Sequence, residues 1–136
     1  MDDCVFCKII AGKIPALKVY ENDKIFAFLD ISPVNKGHTL VVPRAHHVDL
    51  LETPEDVLAD MMTRTKKIAA AVVKAVKADG FNLGCNTKKA AGQAVFHTHL
   101  HIIPRFLGDG LQTWPHQKFP EAEMQKVAAD IKAQLK

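Results

Sequence analysis

Histidines stand at every second position in His97-Thr98-His99-Leu100-His101, and the run continues Ile102-Ile103-Pro104-Arg105. A period of two belongs to a β-strand, in which alternate side chains share a face. The pattern therefore predicts a strand with three imidazoles on one side, neighbours roughly 6.5–7 Å apart. Leu100 and Ile102 then point the other way, into a core. A polar strand face turned to water is the bland explanation, but three of the chain's seven histidines within five residues point to chemistry. Imidazole binds metals, attacks phosphorus and changes charge near neutral pH.

The 136 residues suit one domain, spanning 1–136, with a real core. A net charge of +3, from 18 basic and 15 acidic residues, is too small to indicate nucleic-acid or membrane binding. No apolar run approaches a membrane span and no signal peptide stands out, so a cytoplasmic protein is expected. Three cysteines, Cys4, Cys7 and Cys85, make a poor disulfide framework. In a reducing compartment the Cys4-x-x-Cys7 pair points to metal or redox chemistry.

Val19-Tyr20, a turn at Glu21-Asn22-Asp23 and β character over Lys24 to Leu29 predict a hairpin. Ser32-Pro33 and Lys36-Gly37 mark a loop, and Thr39 to Val42 a third strand ended by Pro43. The clearest helix covers residues 54 to 79. Thr53 is its expected N-cap, Pro54 its first residue and Gly80 its C-terminal cap. Val57, Leu58, Met61, Met62, Ile68, Ala69, Val72, Val73 and Val76 recur at helical spacing as a buried stripe. Phe81 to Asn86 forms a fourth strand and Thr87 to Gly92 a loop. A second helix starts at Pro120, with Met124, Val127, Ile131 and Leu135 on one face. Strands and helices do not alternate regularly, which predicts an α+β fold with an antiparallel sheet.

Gly92-Gln93-Ala94-Val95-Phe96 leads directly into the histidines. A glycine there lets backbone amides approach an anion, which shifts the reading from a simple turn toward a phosphate site. Phosphoryl or nucleotidyl transfer suits such a site: one imidazole attacks phosphorus while neighbouring donors hold the non-bridging oxygens. Zinc in a structural site takes four ligands. Beyond Cys4 and Cys7 the candidates are His38, His46, His47, His97, His101 and Cys85. A metal held by His97, His99 and His101 together is the rival arrangement, but three histidines along a straight strand span about 13 Å.

His97 to Ile103 resembles the signature of the histidine triad (HIT) family, three histidines separated by apolar residues and followed by two more. Thr98 occupies an apolar slot of that pattern. Cys4 to Pro15, Phe28 to Pro33 and Gly37 to Pro43 resemble, in order, the family's N-terminal and central segments. The chain is most similar to the Hint-like branch, particularly its small prokaryotic members. The resemblance implies a five-stranded antiparallel sheet with two main helices, pairing as a homodimer. It implies a hydrolase acting on a purine nucleoside 5′-monophosphate joined to a leaving group, of the phosphoramidate type. Dinucleoside polyphosphate hydrolysis, or nucleotide-dependent regulation with weak turnover, is the alternative.

Residue by residue, the resemblance makes His99 the nucleophile that carries a covalent nucleotidyl group. It sets His101 at the phosphate or the bridging atom, Gln93 at the phosphate and Asn86 near phosphate and ribose. Asp30 takes the ribose hydroxyls; read alone, it is a turn or cap residue. Phe6, Ile9, Phe28 and Ile31 match the base slot, with Phe6, Ile9 and Ile31 favoured as its lining. Ala94 replaces a serine or threonine common in Hint-like proteins, and alanine cannot give a leaving amine its proton. The resemblance also narrows the structural zinc ligands to Cys4, Cys7, His46 and His97, with His47 as a substitute for His46. Residues 111–119, with Trp114 and His116, match a segment that often reaches the partner subunit's site.

Overall fold

A computed structural model describes residues 3–135. Strands β1 (Lys18–Glu21), β2 (Ile25–Leu29), β3 (Thr39–Pro43), β4 (Gly80–Gly84) and β5 (Leu100–Arg105) form one sheet in the order β1-β2-β3-β5-β4. Every pairing is antiparallel. Helix α1 (Val5–Ile10) precedes the sheet, α2 (Glu55–Val76) joins β3 to β4, and α3 (Glu121–Gln134) follows β5. The α+β architecture is the one expected.

Alternation along the strands separates two cores. Ile25, Ala27, Val41, Leu100 and Ile102 pack with Met61, Ile68 and Ala69 of α2. Phe26, Phe28, Leu40 and Val42 face the other way and pack with Phe6 of α1. Leu100 and Ile102 thus point into the α2 core as the period of two predicts, and His101 lies on the α1 face. β2 and β3 are buried almost throughout because both faces are covered.

The long helix ends earlier than expected. Lys77 takes the left-handed conformation itself (φ 58°), and the N–H groups of Lys77 and Ala78 both reach the Val73 carbonyl. Gly80 instead opens β4, opposite Arg105. Thr53 does not cap α2 either. Pro54 occupies the N-cap position without a side-chain bond, and the Thr53 hydroxyl donates to the Asp49 carbonyl at 2.7 Å. Within the predicted stripe Met61 is fully buried, whereas Met62 is half exposed. The Met124, Val127, Ile131 and Leu135 stripe of α3 is present, and all four residues are exposed.

Candidate active site and metal centre

The triad does not lie on one straight strand. β5 starts at Leu100, so His97, Thr98 and His99 precede it. The Thr98 amide bonds to the His47 carbonyl (2.8 Å) in the loop after β3. This irregular backbone turns the rings differently. His99 and His101 have ring centroids 4.9 Å apart, while the His97 ring sits 5.0 Å from that of His46.

Three carbonyl or amide partners decide which nitrogen of each ring carries its proton. A carbonyl only accepts, so a ring nitrogen bonded to one must be protonated. His97 Nε2 donates to the Pro43 carbonyl at 2.7 Å, which leaves its Nδ1 lone pair free. His99 Nδ1 donates to the His97 carbonyl at 2.7 Å, which leaves its Nε2 lone pair free. His101 is set by a relay. The Val34 amide donates to His38 Nδ1 (3.0 Å), so His38 Nε2 carries a proton and donates to His101 Nδ1 (2.9 Å). His101 Nε2 is therefore an N–H donor. The resulting set is one lone pair toward the cysteines, one bare nucleophilic nitrogen and one hydrogen-bond donor.

These assignments require neutral rings, and burial supplies them. It pushes His101 down to about 4, with His99 and His38 adding to the effect. It lowers His99 and His38 as well, against the opposing pull of Asp30 on both and of the bond to the His97 carbonyl on His99. His97 is likewise held at about 4, first by burial. The sign for stability follows from linkage. An unfolded histidine titrates at about 6.5 and binds protons that the folded rings refuse, so stability falls as pH drops from about 6.5 toward 4. Thermal melts between pH 7.5 and 5 are expected to show this decline above the carboxylate range. A constant melting temperature across that window would contradict the buried neutral pair His38–His101.

Cys4 is the N-cap of α1, and Cys7 lies in its first turn, where its amide donates to Cys4 Sγ at 3.4 Å. The helix start brings both sulfurs to one place. The sulfurs of Cys4 and Cys7 and the Nδ1 atoms of His46 and His97 all lie within 4.8 Å of one another. Tetrahedral zinc with ordinary bond lengths sets S···N edges at about 3.6 Å and N···N edges at about 3.3 Å. The corresponding distances are 3.4 Å for Cys4–His97, 3.4 Å for Cys7–His46, 3.6 Å for Cys7–His97 and 3.2 Å for His46–His97. Two imidazole lone pairs and two sulfurs at these separations fit one ion. The His97 Nε2–H to Pro43 bond is the outer support such a ligand ordinarily has. His47 contributes its backbone carbonyl, and among the described residues no candidate group contains all three triad histidines.

A cleft of about 320 Å³ opens between α1 and the sheet. Phe6, Ile9, Phe28, Asp30, Ile31, Asn86, Ala94, His99 and His101 line it, so the structure brings most of the expected site together. Phe6 is buried, with its ring edge-to-face with His99 (5.1 Å) and His97 (5.8 Å). Phe28 belongs to the core beneath it, and Ile31 stands 92% exposed at the rim. Asp30 Oδ1 accepts the Ser32 amide (2.8 Å), a turn bond, which leaves Oδ2 facing the cleft 3.7 Å from His38 Nε2. Gly92 has φ +89°, a conformation suited to glycine, and a Cβ there would meet the Asn86 amide nitrogen at 3.6 Å.

Gln93 is placed differently from the expectation. It is buried outside the cleft lining, with Nε2 bonded to the Val48 and Val95 carbonyls and Oε1 to the Lys88 amide. Its amide is used up shaping the loop. That loop carries Lys88 at φ 74°, pinned by this bond and by Nζ to Asp49 (2.7 Å). His38 has a role at the site that the strand pattern of the triad does not announce. It sits one residue before β3, and only the fold sets it beside His101.

The HIT domain family model matches residues 11–108. Adenylylsulfatase HINT3 of Arabidopsis thaliana is 51% identical over 104 residues, covering 76% of this chain and 53% of that protein, so the chain spans about half its length. The crystal structure of SMU.412c from Streptococcus mutans UA159 superposes with a TM-score of 0.94 at 45% identity, covering 100% of this chain and 87% of that one. A zinc-bound histidine triad family protein from Mycobacterium smegmatis gives a TM-score of 0.78 at 41% identity, covering 98% and 96%.

Proposed function

The chain belongs to the HIT family, and on that premise we propose that it hydrolyses a purine nucleoside 5′-monophosphate joined to a leaving group, of the phosphoramidate type, with His99 as nucleophile. The bond from His99 Nδ1 to the His97 carbonyl carries this reading, because it leaves the Nε2 lone pair bare at a nucleotide-sized cleft.

The Nε2 lone pair attacks phosphorus. An N–P bond forms, and the bond to the leaving group breaks with its electron pair on the leaving group, an amine departing neutral by taking a proton from solvent. Water then attacks the same phosphorus and gives up a proton to solvent, and the pair of the N–P bond returns to Nε2. His101 Nε2–H donates to a non-bridging oxygen and needs no proton transfer to do so. The free oxygen of Asp30 accepts from the ribose hydroxyls. Phe6, Ile9 and Ile31 receive the base, and Asn86 lies at the phosphate–ribose junction. Gln93 and Gly92 set the shape of the loop beside it. Ala94 offers no proton, so leaving groups that depart as stable anions have the advantage over amines.

Cys4, Cys7, His46 and His97 would hold a structural zinc, which supplies rigid cross-linking of α1 to the triad segment and no open coordination position. Thiolate ligation suits a reducing compartment such as the cytoplasm. A homodimer is supported by the exposed apolar stripe of α3, and a molecular mass measured in solution checks it. A second nucleotide as leaving group has its own support. A larger cleft of about 660 Å³ adjoins the first across His101, Asn86 and Gly92, with Arg105 and Trp114 in its wall.

The test is rapid alkaline denaturant quench during turnover of a fluorogenic adenosine phosphoramidate and of a diadenosine polyphosphate, followed by peptide mass mapping at alkaline pH. One adenylyl unit on the peptide containing His99 is expected. Turnover of both substrates with no trapped adduct, or an adduct elsewhere, would overturn the assignment.

A further inference from the structure

We propose that the buried hydroxyl pair Thr53–Thr98 is a positioning device for the nucleophile. This rests on His99 being that nucleophile. Thr98 occupies the slot in which the family signature has an apolar residue. Its side chain is 1% exposed and that of Thr53 is 6% exposed, and their oxygens lie 2.7 Å apart.

The protons can be placed. Each hydroxyl has one, and Thr53 gives its proton to the Asp49 carbonyl at 2.7 Å. Thr98 therefore donates to the Thr53 oxygen, its other acceptor being the His47 carbonyl at 3.2 Å. The result is a directed chain from Thr98 through Thr53 to the backbone of residue 49. The same Asp49 caps the following 3-10 turn, Leu50–Glu52, through its carboxylate.

The peptide between His97 and Thr98 explains why this matters. Its N–H bonds to the His47 carbonyl at 2.8 Å, and its C=O takes the Nδ1–H of His99 at 2.7 Å. One peptide plane thus sets both the tautomer and the tilt of the nucleophile. That plane lies before β5, outside the sheet ladder that orients Leu100 onward. On its C-terminal side the side chain of Thr98 anchors it, and a hydroxyl pair fixes rotation where an apolar contact fixes only distance. The Pro43, His47 and Val48 carbonyls take donors from His97, Thr98 and Gln93, so the 43–53 segment serves as the template for the whole site.

The experiment compares Thr98→Val, Thr98→Ser, Thr53→Val and the double valine variant as zinc-loaded protein of residues 1–136. Steady-state kinetics on the adenosine phosphoramidate are read beside the 15N spectrum of the His99 ring. Thr98→Val is expected to lower kcat on the order of tenfold with KM nearly unchanged, the scale of a small misplacement of a reacting group. Its ring spectrum should shift from the pure Nδ1–H form toward a mixture of tautomers. Serine should restore both, and the double variant should be no worse than Thr98→Val, because the two hydroxyls act as a unit. A folded Thr98→Val protein with wild-type kcat and the wild-type ring spectrum would overturn the proposal. If that variant fails to fold, Thr53→Val decides by the same two readouts. Failure of the nucleophile reading shows separately, as wild-type turnover in His99→Ala, and the ring spectrum then still decides the clasp.

Discussion

Replacing His99 by alanine is expected to lower kcat by about 10⁴-fold or more while leaving the fold and the metal in place. The side chain makes one hydrogen bond, to the His97 carbonyl, and edge contacts with the rings of Phe6 and His101. Its loss would remove the proposed nucleophilic nitrogen and little of the core. KM should change far less than kcat, since Asp30, Phe6 and Asn86 remain to bind the nucleotide. His101→Ala should cost less, about 10²–10³-fold, the usual effect of removing one donor to a developing oxyanion. Stopped assays of both variants on the adenosine phosphoramidate check the order. Equal losses, or the larger loss at His101, would show that the roles have been exchanged.

Removing the metal has the second large effect, on stability first and turnover second. Cys4 and Cys7 sit at the start of α1, His46 in the loop after β3 and His97 just before β5, so an ion held by them would tie together three otherwise separate pieces. A ligand present at about 1,000 times its dissociation constant stabilises by about 4 kcal/mol. For a domain of this size that corresponds to a melting temperature about 10 °C lower after chelation or in Cys4→Ala. Turnover should fall too, because the His97 carbonyl that holds His99 belongs to a proposed metal ligand. Calorimetry with and without a chelator, with zinc measured by elemental analysis, provides the check. A Cys4→Ala protein that keeps full zinc and the parental melting temperature would show the ligand set to be wrong.

What was legible beforehand depended on whether the signal was local. The β1–β2 hairpin, the long helix and the inward Leu100 and Ile102 follow from period, turn residues and chain direction, and the structure has them. The meeting of Cys4, Cys7, His46 and His97 came from family resemblance, since no spacing rule joins residue 4 to residue 97. Helix α1 has only six residues, too few to show a helical period in the sequence. Thr53 looked like a helix cap because its sequence neighbours fit one, but Asp49 and Thr98 are its partners in space. The distinct tasks of the three histidines are invisible to a periodicity argument that treats them alike. They depend on the Pro43 and His97 carbonyls and on His38, and only the folded backbone delivers those partners.

The division of the triad is most directly tested by zinc stoichiometry in two matched variants, His97→Ala and His99→Ala. Zinc should be lost from the first and remain at one per chain in the second. Zinc lost from both would indicate a metal shared by the triad, and zinc retained in both would remove His97 from the metal site; either result would contradict the assignment.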